Sequence, residues 1–237
     1  MATLMVVAAN PARGLSLVLP GGVWRSLVST ARNQSSTDSI LGARRTARIA
    51  MIAALYASLT LVAMLFLGGL AWGPVQFRIS EAICVLALLT FDAVPGLTLG
   101  CIIANVANIA LSGVGTIGML DVVFGSLATF LGALFSWRFR DRPAVAVLGP
   151  VLANALIVPA YLPLMLQGMG FYTIPFTSIS LDGAYLPMYL FGFVATGIGE
   201  AVVLYALGLP LYHALARTSL AERIASDTEA QTESERD

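Results

Sequence analysis

Long apolar runs separated by short polar segments dominate the pattern of the chain. No charged residue occurs in residues 49–77, 93–120 or 143–181, and each stretch is longer than the roughly 20 residues that a membrane-spanning helix needs. We predict spans at about residues 47–70, 79–90, 95–111, 121–137, 144–166 and 184–211. The pattern therefore predicts an all-α membrane protein with six transmembrane helices.

Two of these spans are interrupted by helix-breaking residues. The second span is short and ends at Asp92 and Pro95, whereas the fifth contains Pro150, Pro159 and Pro163. Proline removes a backbone hydrogen bond and clashes with the preceding turn, so we expect the fifth helix to be kinked or partly unwound toward its end. Irregular backbone at membrane depth is tolerated only where protein or a watery cavity satisfies it, and we expect such surroundings here.

Composition supports a membrane protein and excludes several catalytic classes. Hydrophobic residues make up 58% of the chain and charged residues 11%. All 13 basic residues are arginine, so the lysine-containing GxxxxGK[ST] phosphate loop is absent and any ATP-driven step needs a partner. The GxSxG and HExxH motifs are absent too, so we expect neither a common enzyme nor a metal site. Cys84 and Cys101 lack CxxC spacing and are expected to be buried small hydrophobic residues.

The distribution of charge predicts three regions and an orientation. Residues 1–45 are rich in proline, glycine and polar residues and are expected to be a flexible cytosolic extension, followed by the transmembrane domain at 46–213. Residues 214–237 carry six acids and three arginines and are expected to be a disordered cytosolic tail. Most other arginines fall before span one or between spans four and five, so the positive-inside rule places both termini in the cytoplasm.

Seven polar residues interrupt the apolar spans and form the candidate site. A charged side chain inside a membrane segment costs roughly 2.5–3.5 kcal/mol on insertion scales, so such residues usually face the bundle interior and mark function. The predicted topology places the first five in the outer leaflet and the last two deeper, as an outward-open binding pocket requires. The seven are Arg78, Glu81, Asn105, Asn108, Asp121, Asn154 and Glu200.

A purely structural interpretation of these residues stays open at this stage. Arg78 can pair with Glu81 or Asp121, and the two asparagines Asn105 and Asn108, three apart on one helical face, can bridge helices. Asp121 also lies in a first helical turn, where a carboxylate complements the helix dipole. More polar residues are gathered in one leaflet than such structural links need, so the sequence favours a binding site.

Small residues recur every four positions in the first span. Ala50, Ala54 and Ser58 lie on one smooth face, with Ala53 and Ala57 beside it. Small residues allow helices to approach closely within a membrane. The pattern by itself favours internal packing over a surface that contacts a partner protein.

Several motifs together resemble the QueT family of substrate-binding S components of energy-coupling factor (ECF) transporters. The motifs are Phe77-Arg78-Ile79-Ser80-Glu81-Ala82, Val94–Cys101 with Asn105, Leu120–Thr129, Pro150–Val158 and Gly197–Glu200. The resemblance covers about residues 48–211. It implies a six-helix S-component bundle in the cell membrane that captures a queuosine precursor, a 7-deazaguanine base, from outside.

The resemblance also implies partners and roles for individual residues. S components deliver substrate inward with a transmembrane coupling subunit and two ATPase subunits, so ATP is used by the partners and no cofactor is expected here. The resemblance shifts the interpretation of Ala50, Ala54 and Ser58 toward a partner interface. Other vitamins or nucleobases remain alternative ligands, and a small intramembrane enzyme using Glu200 and Asp121 is a weaker alternative.

The chemistry of a 7-deazaguanine ligand suggests which side chains would contact it. Its ring amide and exocyclic amine can donate together to one carboxylate, for which Glu81 or Asp121 is expected. Its carbonyl can accept from Arg78 or Asn108, and an aminomethyl cation would pair with a second carboxylate. Aromatic residues of the outer loops, such as Phe77 or Tyr172, are expected to stack on the base.

Overall fold

A computed structural model of the 237-residue chain describes residues 6–10, 14–18, 21–67, 78–113, 115–168, 178, 180 and 185–219. Strands β1 (Val6–Asn10) and β2 (Gly14–Val18) form an antiparallel pair near the N-terminus. The remaining elements are helical. They are α1 (Gly21–Leu67), a 3-10 helix (Ile79–Leu88), α2 (Ala93–Ser112), α3 (Ser126–Arg138), α4 (Leu148–Gly168), α5 (Tyr185–Val202) and α6 (Leu209–Ala216).

Five helical segments of the described chain are long and apolar enough to cross a membrane. They are Ile40–Phe66, Ala93–Leu111, Gly115–Arg138, Pro143–Leu164 and Tyr185–Ala216. The third begins with a 3-10 turn (Gly115–Gly118) and a π-helical turn (Asp121–Gly125), the fourth with a single turn (Pro143–Ala146), and the last joins α5 to α6 through π-helical Val203–Gly208. The predicted all-α membrane class is confirmed.

The second predicted span is the 3-10 helix Ile79–Leu88, which has only 10 residues. At a rise of about 2.0 Å per residue it extends roughly 20 Å, less than the roughly 30 Å hydrocarbon core of a bilayer. Its side chains are buried on nearly all sides, including Ser80 and Glu81, so it lies among the other helices. A count of six membrane-crossing helices therefore stays a prediction.

Glycines allow the long helices to pack closely. A Cβ added at Gly100 of α2 would lie 2.7 Å from the Ala53 carbonyl oxygen of α1, and one at Gly132 of α3 would lie 2.6 Å from Pro150 Cα of α4. Real Cβ atoms do not approach backbone this closely, so the helix pairs α1–α2 and α3–α4 require glycine at these crossings.

The prolines of α4 do not unwind its end. The helix continues through Pro159 and Pro163 to Gly168, and the break lies at its beginning, at Val147. A Cβ added at Gly192 of α5 would lie 3.0 Å from Pro159 Cβ, so the missing side chain lets α5 pack against the proline. The predicted unwinding toward the end of this span is not found, because neighbouring helices can support a proline within a bundle.

Three contacts gather the arginine-bearing ends of the helices at one end of the bundle. Asp92, just before α2, accepts from Arg45 Nε at 3.1 Å and pairs with Arg48 Nε at 3.4 Å on α1. The ring of Phe91 packs edge-on against Trp137 of α3, with centroids 5.7 Å apart. The beginning of α2 and the end of α3 therefore meet beside the arginines of α1. We call this the arginine end of the bundle.

Both predicted region boundaries lie inside helices, the first in α1 and the second, after residue 213, in α6. Helix α1 begins at Gly21, so the predicted boundary between residues 45 and 46 lies within it. Residues 220–237, the greater part of the predicted acidic tail, lie outside the described residues. The three-region division thus stays a prediction.

Candidate functional site

All seven predicted site residues are buried inside the helical bundle. Their exposed fractions lie between 0% and 4%, which excludes a solvated surface role. They come from α2, α4 and α5, from the 3-10 helix and the residue before it, and from the π-helical turn. They are Arg78, Glu81, Asn105, Asn108, Asp121, Asn154 and Glu200. The aromatic residues Phe77 and Tyr172, expected to stack on a ligand, lie outside the described residues.

Glu81 is held by donors on both carboxylate oxygens. The phenol of Tyr56 on α1 donates to Oε1, and the thiol of Cys84 donates to Oε2 at 2.9 Å. One turn along α1, the hydroxyls of Thr60 and Ser80 are hydrogen-bonded at 2.8 Å. These bonds attach the 3-10 helix to α1 and fix the orientation of Glu81. Each carboxylate oxygen can accept a further hydrogen bond.

Asp121 is the centre of a second hydrogen-bonded group. The phenol of Tyr161 on α4 donates to Oδ1 at 2.6 Å, and Asn105 Nδ2 on α2 donates to the Asp121 backbone carbonyl at 2.7 Å. A π-helical turn changes the regular backbone pairing and is frequent at functional sites. Gly125 faces this group, since a Cβ there would lie 3.3 Å from Asn105 Nδ2 and 3.5 Å from Tyr161 Oη.

Arg78 supplies the positive charge among these carboxylates. It lies immediately before the 3-10 helix in extended conformation, with φ −77° and ψ 91°, and it is 3% exposed. Its charge interacts with Glu81, Asp121 and Glu200. One guanidinium therefore interacts electrostatically with three carboxyl groups, so these buried groups include more acids than bases.

Five buried side-chain atoms of α3, α4 and α5 have no hydrogen-bond partner within the described residues. They are Ser126 Oγ of α3, both Nδ2 and Oδ1 of Asn154 on α4, and Thr196 Oγ1 and Glu200 Oε2 on α5. Thr196 and Glu200 are four apart and share a helical face. An unsatisfied buried polar atom costs about 1–3 kcal/mol, so five of them need an explanation. A polar ligand or ordered water would satisfy them.

The structure brings most of the predicted residues together. Arg78 interacts with Glu81, Asp121 and Glu200, and Asn105 binds the backbone of Asp121. Asn108 is buried one helical turn from Asn105, and Asn154 lies on α4 two turns before Tyr161. Their assignment to a substrate-binding site stays a prediction.

Four further buried polar residues were not predicted. Tyr56 and Tyr161 donate to the predicted residues Glu81 and Asp121, and Ser126 and Thr196 have buried hydroxyls without a partner within the described residues. The two tyrosines carried a usable signal, because a phenol far from the membrane interface must find a hydrogen-bond partner. Serine and threonine carried none, since their hydroxyls commonly bond to their own helix. Cys84 is buried and free as predicted, but its thiol also contacts Glu81.

The small residues of α1 divide into an inward and an outward set. Ala53 and Ala57 are buried, and the backbone of Ala53 meets Gly100 of α2. Ala50, Ala54 and Ser58 are exposed on the outside of the bundle. The first set therefore provides internal packing, whereas the second lies on the outer surface of the bundle.

The fold and the site define a multi-pass membrane protein whose helices enclose a charged polar cluster. A sequence model described as QueT transporter matches residues 46–217, and the chain belongs to the QueT transporter family. This confirms the resemblance found in the motifs. The chain is also 33% identical over 97 residues to the queuosine precursor transporter QueT of Lactococcus lactis subsp. cremoris (strain MG1363).

That alignment covers 39% of this chain and 52% of the relative, so the chain matches about half of the relative's length. No solved structure matches the chain.

Proposed function

We propose that this chain is the substrate-capture S component of an ECF-type importer and binds a queuosine precursor, a 7-deazaguanine base, from outside the cell. The observation that carries the proposal is the set of five buried polar atoms without partners within the described residues, one of them in Glu200, whose carboxyl group interacts electrostatically with Arg78. Family membership and the name of the Lactococcus relative support transport of this class of compound.

The chemistry of the site suits the donor-rich edge of such a base. Glu81 and Asp121 are each oriented by a tyrosine and keep acceptor capacity for the ring amide and exocyclic amine of a ligand. Arg78 or Asn108 would donate to the ligand carbonyl. The carboxylate of Glu200, with Oε2 unsatisfied within the described residues, would pair with an aminomethyl cation.

Asn154 and Thr196 would complete the contacts on the inner side of the ligand. The Asn154 amide offers both a donor and an acceptor, and the Thr196 hydroxyl offers either. An S component for another vitamin or nucleobase is the second candidate, because any ligand with adjacent donors and one carbonyl could satisfy the same groups.

We propose that the outward small-residue face of α1 contacts a transmembrane coupling subunit. Ala54 and Ser58 each lie two residues from Tyr56, about 200° round the helix, so this face is opposite the side that holds Glu81. The importer would take its energy from two ATPase subunits, and the chain itself would catalyse no reaction and hold no cofactor.

We further propose a plasma-membrane location with both termini in the cytoplasm. The arginine end of the bundle gathers Arg45 and Arg48 of α1 with the arginines of the connector 138–142. Arginine-rich segments stay on the cytoplasmic side by the positive-inside rule.

The test is calorimetric binding of 7-deazaguanine precursors to the purified full chain in detergent, with guanine and thiamine as comparison ligands. We expect tight, selective binding without ATP or partners, and recovery of the ligand unchanged. Glu200→Gln and Asn154→Ala should weaken binding, whereas Asp141→Asn, at an exposed carboxylate, should not. Failure of a folded chain to bind any precursor would overturn the ligand, and chemical conversion of the ligand would overturn the absence of catalysis.

A further inference from the structure

A connector at the arginine end carries three arginines that the proposed substrate site does not use. Arg138 is the last residue of α3, and Arg140 and Arg142 lie between it and the single turn Pro143–Ala146. The segments on either side, Gly115–Arg138 and Pro143–Leu164, are both long and apolar enough to cross a membrane. The connector must therefore turn at the membrane surface, at the depth of the lipid headgroups.

The connector is held in one conformation by backbone and ring contacts. The Phe139 N–H donates to the Phe135 carbonyl at 3.0 Å, and the Arg142 N–H donates to the Phe139 carbonyl at 2.9 Å. The rings of Phe135 and Phe139 pack with centroids 4.4 Å apart. The Arg140 guanidinium lies 3.9 Å from the centroid of the Trp137 ring, a cation–π contact. The arginines thus project from an ordered turn.

The charge of this connector is not neutralised in the way that the charge of α1 is. Arg45 and Arg48, at the same end of the bundle, pair with Asp92 at 3.1 and 3.4 Å. In the part of the chain that the structure describes, no carboxylate lies within 4.0 Å of a guanidinium nitrogen of Arg138 or Arg142. Two exposed guanidinium groups are therefore available to an anion.

A cavity of about 280 Å³ opens between these groups and is lined by Arg138, Phe139, Asp141 and Arg142. Guanidinium groups bind phosphate oxygens with paired, directed hydrogen bonds. Phe139 adds an apolar wall suited to the carbon skeleton next to the phosphate. Asp141 would repel a second negative group, but it can accept a hydrogen bond from a hydroxyl.

We propose that this cavity binds the headgroup of an anionic phospholipid of the phosphatidylglycerol type. Its phosphate would lie between Arg138 and Arg142, and its headgroup hydroxyls would donate to Asp141. A lipid is the expected source of the phosphate because the connector lies where the surrounding leaflet presents phosphates at high local concentration. Basic pockets at the cytoplasmic surface commonly bind such headgroups. The site is independent of the substrate proposal.

The experiment titrates the purified full chain in detergent with phosphatidylglycerol or phosphatidylcholine and counts bound lipid by native mass spectrometry. We expect clear preference for phosphatidylglycerol. The double variant Arg138→Gln/Arg142→Gln should lose affinity for it by roughly ten- to thirtyfold, as removal of two surface arginines implies. Arg217→Gln, a single exposed arginine at the end of α6, is the control and should bind as the unaltered chain does.

Two further measurements identify the source of the bound phosphate and test the role of Asp141. Asp141→Asn should reduce the preference for phosphatidylglycerol over phosphatidic acid, which lacks the headgroup hydroxyls. Soluble glycerol phosphate should compete only weakly; competition at equal concentration would overturn the assignment to lipid. Equal affinity for both lipids, or an equal loss in the Arg217 variant, would overturn the site. If the double variant unfolds, Arg142→Gln alone is measured, and unchanged affinity there overturns the proposal.

Discussion

Replacing Tyr56 by phenylalanine tests whether the carboxyl group of Glu81 is charged and is held in place by its hydrogen bond from Tyr56. The change removes only the phenol oxygen that donates to Glu81 Oε1 and keeps the ring, so no cavity forms where Tyr56 packs against Gly100. A hydrogen bond to a charged group contributes about 1.5–3 kcal/mol, whereas one between neutral groups contributes about 0.5–1.5 kcal/mol. The size of the loss therefore reports the charge of Glu81 in the empty site.

The assay is thermal unfolding of the purified chain in detergent. For a chain of this size each kcal/mol corresponds to roughly 2–4 °C in Tm, so a charged acceptor predicts a fall of about 3–12 °C. Tyr212→Phe is the matched control, because the Tyr212 phenol makes no hydrogen bond within the described residues and packs against His213. Equal shifts in the two variants would refute the reasoning.

A double-mutant cycle with Glu81→Gln separates the hydrogen bond from other effects of the tyrosine. If Tyr56 acts through Glu81, the two changes together should destabilise by less than the sum of the single changes. Additive losses would mean that Tyr56 stabilises the chain through packing alone. The same variants measured with ligand would show whether the tyrosine also orients the carboxylate for binding.

Three other experiments with variants test packing, binding and partner contact. Gly132→Ala should destabilise by about 1–3 kcal/mol because its Cβ would meet the backbone of α4, whereas Gly42→Ala, with open space around it, should not; a melting curve compares them. Glu81→Ala and Asp121→Ala should each weaken binding of a 7-deazaguanine precursor in calorimetry, and unchanged affinity in both would remove their assigned roles. Ala54→Trp should reduce co-purification with the proposed coupling subunit while leaving ligand affinity unchanged, and intact co-purification would exclude this face as the interface.

The short 3-10 helix explains how a half-length segment can carry the charged residues of the site. The 3-10 form gives about 2.0 Å per residue against 1.5 Å in an α-helix, so Ile79–Leu88 reaches farther than an α-helix of equal length would. Burial among the other helices shields its backbone from lipid. Arg78 and Glu81 thereby enter the bundle without a full-length hydrophobic span of their own.

Sequence patterns alone determined the membrane class, the approximate spans and four of the five buried charged residues, with Asp92 missed. These follow from local rules: a helix in lipid needs about 20 apolar residues, and a charge within it must face inward. Arg78, Glu81, Asp121 and Glu200 were recognised for that reason. The sequence motifs also indicated the QueT transporter family, and this inference does not depend on any single contact in the structure.

Only the tertiary structure decided which groups meet. Tyr56 and Glu81 are 25 residues apart, and Asp121 and Tyr161 are 40 apart, so no local spacing could have paired them. The same holds for Asp92 with the arginines of α1, and for the outward direction of Ala54 when Ala53 faces inward. A helical pattern specifies which residues share a face, but the packing of helices against one another selects what each face contacts.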